Sequence, residues 1–156
     1  MHINLVRHGE ADLATHDLGD RGRTLTLHGR DQARAAGDAL HGRHVLPTRA
    51  WSSPFVRAVQ TAELLLARLP FPGPLECRAD LFPESDPRHL IAALHHLPAG
   101  ADLLVTGHEP YMSALASALL GIHIGGFETG AILRIHLPPD ARPTLVWRWM
   151  SGRFIG

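Results

Sequence analysis

Short apolar runs alternate with stretches of helical period through most of this chain, and that alternation narrows the possible folds more than any other feature. Residues 3–6, 50–52, 75–78 and 102–106 read as strands, and residues 27–40, 55–69, 87–97 and 109–120 read as helices between them. Punctuation agrees with the pattern. Thr26 stands where a helix N-cap belongs and Gly42 where a C-terminal cap does. Ser53 and Pro54 form a cap and first helical residue, Pro70 and Pro72 stop that helix, and Gly121 ends the last one. Two closing strands, residues 131–137 and 144–150, are predicted to pair across residues 138–143. Strand–helix alternation requires crossovers that cover both faces of a sheet. The predicted fold is therefore α/β, a three-layer α/β/α sandwich with a mostly parallel central sheet. A chain of 156 residues buries roughly 70% of its unfolded surface in one core, so residues 1–156 are expected to form one domain.

Charge and composition exclude several functions. Fifteen basic and fifteen acidic residues balance to a formal charge of zero, which argues against a nucleic-acid or anionic-membrane partner. Every basic residue is arginine, so mechanisms built on a phosphate-loop lysine or a Schiff base are excluded. No apolar run approaches the ~20 residues of a membrane helix, and no secretory leader is expected. Cys77, the single cysteine, has no intramolecular partner and reads as a small buried apolar residue. A cytoplasmic location is expected.

Chemistry collects where three strands end. Arg7-His8-Gly9 follows the first, Ser52-Ser53-Pro54-Phe55-Val56-Arg57 the second, and Gly107-His108 follows the apolar run Leu103-Leu104-Val105. In a parallel sheet the C-terminal strand ends share one edge, which predicts that two histidines and two arginines converge in one crevice. Arginine forks match phosphate geometry, and Arg57 is expected in the first turn of its helix, where the dipole favours an anion. A neutral imidazole is a competent nucleophile. The arginine cations are expected to hold the His8 pKa below the ~6.5 of free imidazole. Gly9 is expected to let the backbone approach a ligand, and His108 to donate to a bound phosphoryl group.

The words around these residues resemble the histidine phosphatase (phosphoglycerate mutase-like) superfamily, and within it the small phosphohistidine phosphatases of the SixA type. The blocks are Leu5-Val6-Arg7-His8-Gly9-Glu10-Ala11; Leu25-Thr26 with Gly29, Gln32 and Ala33; Ser52-Ser53-Pro54 with Arg57-Ala58 and Gln60-Thr61-Ala62; and Val105-Thr106-Gly107-His108-Glu109-Pro110. They occur in order along nearly the whole chain. The resemblance implies a phosphohistidine intermediate on His8, a phosphate pocket of Arg7, Arg57 and His108, and no cofactor or metal. It also implies a general acid after the third strand, where residues 81–84 offer Glu84, with Asp80 and Asp86 nearby. Arg23 matches a basic residue before the Leu-Thr block, although Thr24 stands where proline is usual, and its role is either substrate contact or solvation of the loop. Thr129-Gly130 resembles a segment that flanks the pocket and reads as a turn.

The other histidines, including His41, His44, His95 and His96, lack partners at the spacing of a tetrahedral metal site. Trp147 and Trp149 share one strand face and read as packing. Cys77 has Pro83, not arginine, six positions on, which argues against a cysteine phosphatase. The expected substrate is a phosphohistidine-bearing protein such as a phosphotransfer domain. The alternatives are a small phosphoester (sugar, nucleotide or cofactor phosphate), a mutase reaction, or a non-catalytic phosphate-binding module. The stretch from residue 75 to 87 is too short for a large lid, which favours an open site. Oligomeric state is not readable from the sequence.

Overall fold

The computed structural model describes every residue, Met1–Gly156. Its elements run β1 (His2–Arg7), α1 (Leu27–Gly42), β2 (Arg49–Ser52), α2 (Val56–Leu66), β3 (Leu75–Cys77), a 3₁₀ turn (Ala79–Leu81), α3 (Pro87–Leu94), β4 (Asp102–Gly107), α4 (Tyr111–Leu120), β5 (Ile132–His136), β6 (Thr144–Met150) and β7 (Arg153–Ile155). The seven strands form one sheet in the order β3-β2-β4-β1-β5-β6-β7. Strands β1 to β4 are parallel, while β5, β6 and β7 are added antiparallel on one side. The α/β layering follows the prediction, and the sheet is mixed. Strand β7 was not predicted; it is short and exposed throughout, so it carries no burial pattern to read.

Two apolar clusters cover the sheet faces. Ile3, Leu5, Leu103 and Val105 pack with Leu90, Tyr111, Met112 and Leu115 of α3 and α4. Val6, Ala50 and Leu104 pack on the other side with Ala36, Leu40 and Leu65 of α1 and α2, joined by Trp147 and Trp149. Alternating residues of the central strands therefore feed opposite layers, as the period of two demands.

Across β1, β4 and β5 lies a polar clamp with no sequence signature. Fully buried Asn4 donates to the Asp102 carboxylate at 2.6 Å, and Arg134 donates to Asn4 Oδ1 and to Asp102, each at 2.7 Å. Each charged partner is satisfied, which is the condition for tolerating an ion pair so little exposed.

Several boundaries differ from the predicted ones. Thr26 caps α1 as expected, accepting from the Gly29 N–H at 2.9 Å. Gly42 is the last helical residue, and His44 takes the left-handed conformation instead (φ 54°). Ser53 does not cap α2, which begins at Val56 with Phe55 before it. Helices α2 and α3 end at Leu66 and Leu94, and α4 starts at Tyr111, with Pro110 before it in a cis peptide bond to Glu109. Cys77 is exposed at the end of an edge strand, not buried.

Candidate active site

The ends of β1, β2 and β4 meet as the alternation predicts. Arg7 is in register with Gly107, the His8 N–H donates to the Gly107 carbonyl at 2.9 Å, and the Ser53 N–H donates to the Thr106 carbonyl at 3.0 Å. The two imidazoles are thereby brought together, with ring centroids 5.1 Å apart. They face a cleft of about 460 Å³ lined by Arg7, His8, Arg23, Arg57 and His108, with Glu10, Asp20, Pro83, Glu109 and Thr129 on its walls.

His8 is 8% exposed and its tautomer follows from its partners. Nδ1 lies 2.7 Å from the Gly9 carbonyl, an acceptor only, so Nδ1 carries the hydrogen. Nε2 keeps its lone pair and accepts from Arg57 Nε at 3.2 Å. Burial, more than the charges of Arg57, Arg7 and Arg23, pushes the His8 pKa down to about 4, against the opposing Gly9 hydrogen bond. The expected direction is present, and its principal cause is desolvation, not the arginines.

Arg57, in the first turn of α2, is 5% exposed. It also donates to the Asp20 carbonyl at 2.7 Å and to the Asp20 carboxylate at 3.4 Å. Arg23 joins this group through Asp20 Oδ1 at 3.1 Å and the Asp12 carbonyl at 2.7 Å. Asp20 was missed in the sequence, since a loop aspartate among glycines and arginines shows no period. Arg7 donates to the Phe127 carbonyl, and its Nε is buried without a partner.

His108 is 1% exposed. Its Nε2 lies 2.7 Å from Ser53 Oγ, and that oxygen already accepts the Phe55 N–H. The Ser53 hydroxyl has no other acceptor, so its hydrogen goes to His108 Nε2, which leaves the hydrogen of the neutral ring on Nδ1, a buried atom with no protein partner. Burial first, then the proximity of His8 and Arg57, lowers the His108 pKa to about 3. The Phe55 ring packs edge-on against His108 at 4.9 Å and under the Arg57 guanidinium at 5.0 Å. Ser53, read as a helix cap, thus orients an imidazole.

Two assigned residues are placed elsewhere. Gly9 does not line the cleft; a Cβ there would collide with the carbonyl oxygen of Gly29, so this glycine lets the loop after β1 cross α1. Its N–H donates to Thr61 Oγ1, whose hydroxyl donates to the Arg57 carbonyl, tying the loop to α2. Glu84 is exposed to solvent, and its neighbour Pro83, not Glu84, lines the cleft. Thr129 lines the cleft, and the Gly130 N–H donates to the Arg7 and His8 carbonyls at 3.1 and 3.2 Å, so the predicted turn buttresses the end of β1.

A model of the histidine phosphatase superfamily (branch 1) matches residues 3–81. The phosphohistidine phosphatase SixA of Escherichia coli (strain K12) is 32% identical over 151 residues, covering 95% of this chain and 92% of the relative. A solved structure of the protein histidine phosphatase SixA complexed with tungstate superposes with a TM-score of 0.89 at 33% identity, covering 97% of both chains. A mycobacterial glucosyl-3-phosphoglycerate phosphatase shares the fold alone, with a TM-score of 0.72 at 19% identity over 92% of this chain and 96% of its own. Fold, sequence blocks and relatives agree: this chain belongs to the histidine phosphatase superfamily.

Proposed function

We propose that the protein hydrolyses phosphohistidine on a partner protein, through a phosphoenzyme formed on His8. The observation that carries this reading is the unprotonated Nε2 of His8, fixed by Gly9 and surrounded by Arg7, Arg23, Arg57 and a His108 whose Nδ1–H has no protein partner. A tetrahedral oxyanion suits this donor set, and the related SixA structure is described with tungstate, such an anion.

In the proposed reaction the phosphoryl oxygens take hydrogen bonds from Arg7, Arg57 and His108, charge-assisted where arginine donates, and Arg57 exchanges its contact with His8 Nε2 for the substrate. The Nε2 lone pair attacks phosphorus in line, the bond to the leaving group breaks with its electron pair, and His8 becomes a phosphoimidazole. Water then attacks the same phosphorus, returning the electron pair to Nε2 and releasing phosphate. The fixed donors stabilise charge on the equatorial oxygens in both steps. Arg23, tethered to Asp20 at the cleft rim, contacts the substrate outside the transferred group.

The residues between β3 and α3 build only the short Ala79–Leu81 turn beside the cleft, which leaves room for a phosphoryl group presented on a macromolecular surface. A cytoplasmic signalling role goes with such a substrate, and the exposed free thiol of Cys77 suits a reducing compartment. The deciding experiment compares kcat/KM for a phosphohistidine peptide and for p-nitrophenyl phosphate, beside His8→Ala. Expected are preference for the peptide and acid-labile labelling of His8. Phosphate binding without turnover of either compound would identify a binding module instead.

A further inference from the structure

Six buried side-chain polar atoms have no hydrogen-bond partner, and three belong to residues that line the catalytic cleft: Arg7 Nε, His108 Nδ1 and Glu109 Oε1. Buried polar atoms are nearly always paired, so such a group in one cleft asks for a ligand that pairs them. The first two are donors, His108 Nδ1 by the tautomer that Ser53 supports. Glu109 Oε1 is an acceptor, and it is not free to turn away, because Oε2 of the same carboxylate accepts from Ser113 Oγ in the first turn of α4 at 2.6 Å. The other cleft carboxylates are already engaged, Glu10 by Thr26 and Asp20 by Arg23 and Arg57. Glu109 follows His108 directly, so one short segment carries both a phosphoryl donor and an unpaired carboxylate oxygen.

A phosphomonoester dianion presents acceptors only. It would satisfy Arg7 and His108 and set its negative charge against Glu109. A phosphoimidazole protonated on its distal nitrogen presents phosphoryl oxygens and one cationic N–H, which matches two donors and an acceptor. Resting on the proposed phosphohistidine reaction, we infer that Glu109 recognises the leaving group: its Oε1 accepts the distal N–H of the substrate imidazolium and holds the substrate in that protonated form. When His8 Nε2 bonds to phosphorus, the substrate P–N bond breaks and its electron pair returns to the imidazolium ring. The ring leaves as neutral imidazole with its hydrogen still on the nitrogen facing Glu109. No proton transfer to the departing nitrogen is needed. Glu109 thus fills the role that the position of Glu84 suggested, by pairing with a cation and not by donating a proton.

The test is Glu109→Gln, which keeps a side chain of the same length while removing the charge. Its kcat/KM for a phosphohistidine peptide and for p-nitrophenyl phosphate is compared with that of the unchanged protein. A charge-assisted hydrogen bond of this kind corresponds to a factor of roughly 10 to 100. The expected result is that the ratio of the two kcat/KM values falls by at least about tenfold, with the melting temperature retained. Glu109→Asp, which keeps the charge, is expected to recover part of that ratio. Equal losses on both substrates would overturn the inference and leave Glu109 as a prop for His108, and so would an unchanged ratio. If the unchanged protein itself fails to turn over the peptide, the phosphohistidine reading falls, and the role of Glu109 with it.

Discussion

Arg57 donates its Nε–H to Nε2 of His8 across 3.2 Å, so a proposed phosphate ligand and the proposed nucleophile occupy one another in the free protein. The contact is possible only while Nε2 is unprotonated. In the proposed reaction, arrival of a phosphoryl group exchanges one acceptor of Arg57 for a better one and frees the Nε2 lone pair as the substrate is bound.

Arg57→Ala is expected to reduce kcat/KM about 100- to 1,000-fold, the usual cost of removing a donor aimed at transition-state oxygens. Steady-state kinetics would check this, and an effect under tenfold would show that Arg57 does not contact the transferred group.

Ser53→Ala removes the hydroxyl that sets the His108 tautomer. With Nε2 left without its partner, the hydrogen is no longer held on Nδ1, and kcat should fall by roughly tenfold or more at little change in KM. Glycerol or high phosphate should not restore it. A shift in KM alone would indicate that His108 serves ground-state binding.

Acid should act on both stability and rate. The His8 and His108 pKa values are depressed to about 4 and about 3, below the ~6.5 of an unfolded histidine. Between those values the unfolded chain binds more protons, so folding stability is complete above ~6.5 and declines as pH falls toward 4, by up to about 1.4 kcal/mol per pH unit for each group. Urea titrations at pH 7 and pH 4.5 would measure the decline. After allowance for substrate ionisation, the acidic limb of kcat/KM should centre near 4. A limb at 6.5 would mean that His8 is not desolvated in the free enzyme.

Arg134→Ala removes the cation that pairs with Asp102 and leaves Asp102 Oδ2 and Asn4 Oδ1 without their donor, Asn4 alone still donating to Asp102, and is expected to cost about 3 kcal/mol. Thermal denaturation reads this directly. Activity per folded molecule should remain near that of the parent, because the clamp lies on residues far along β1 and β4 from their catalytic ends.

The convergence of His8, Arg57 and His108 was legible because it depends only on strand order of elements whose apolar patterning is strong. Parallel strands separated by helices bring their ends to one edge whatever the loops do. Residues whose role depends on loop path were not legible. Asp20 reaches Arg57 from 37 positions away, and nothing local marks it. Glu84 sits after the third strand as the resemblance suggested, yet the turn points it outward. Glu109 read as a helix start, but the helix begins two residues later, which keeps its carboxylate at the cleft. The antiparallel strand β7 sets Phe154 edge-on against Trp147 of β6 at 5.2 Å, yet three exposed residues are too few to carry a readable period.

Gly9 and Gly29 meet where backbone passes backbone, with no side chain between the catalytic loop and the start of α1. A Cβ on Gly9 would strike the carbonyl oxygen of Gly29, and a Cβ on Gly29 would strike the carbonyl oxygen of Glu10, so each glycine is required by the backbone of the other segment. The spacing of two backbones therefore gauges where the loop after β1 runs, and a substitution at Gly29 on the helix would displace the segment next to His8 without entering the cleft.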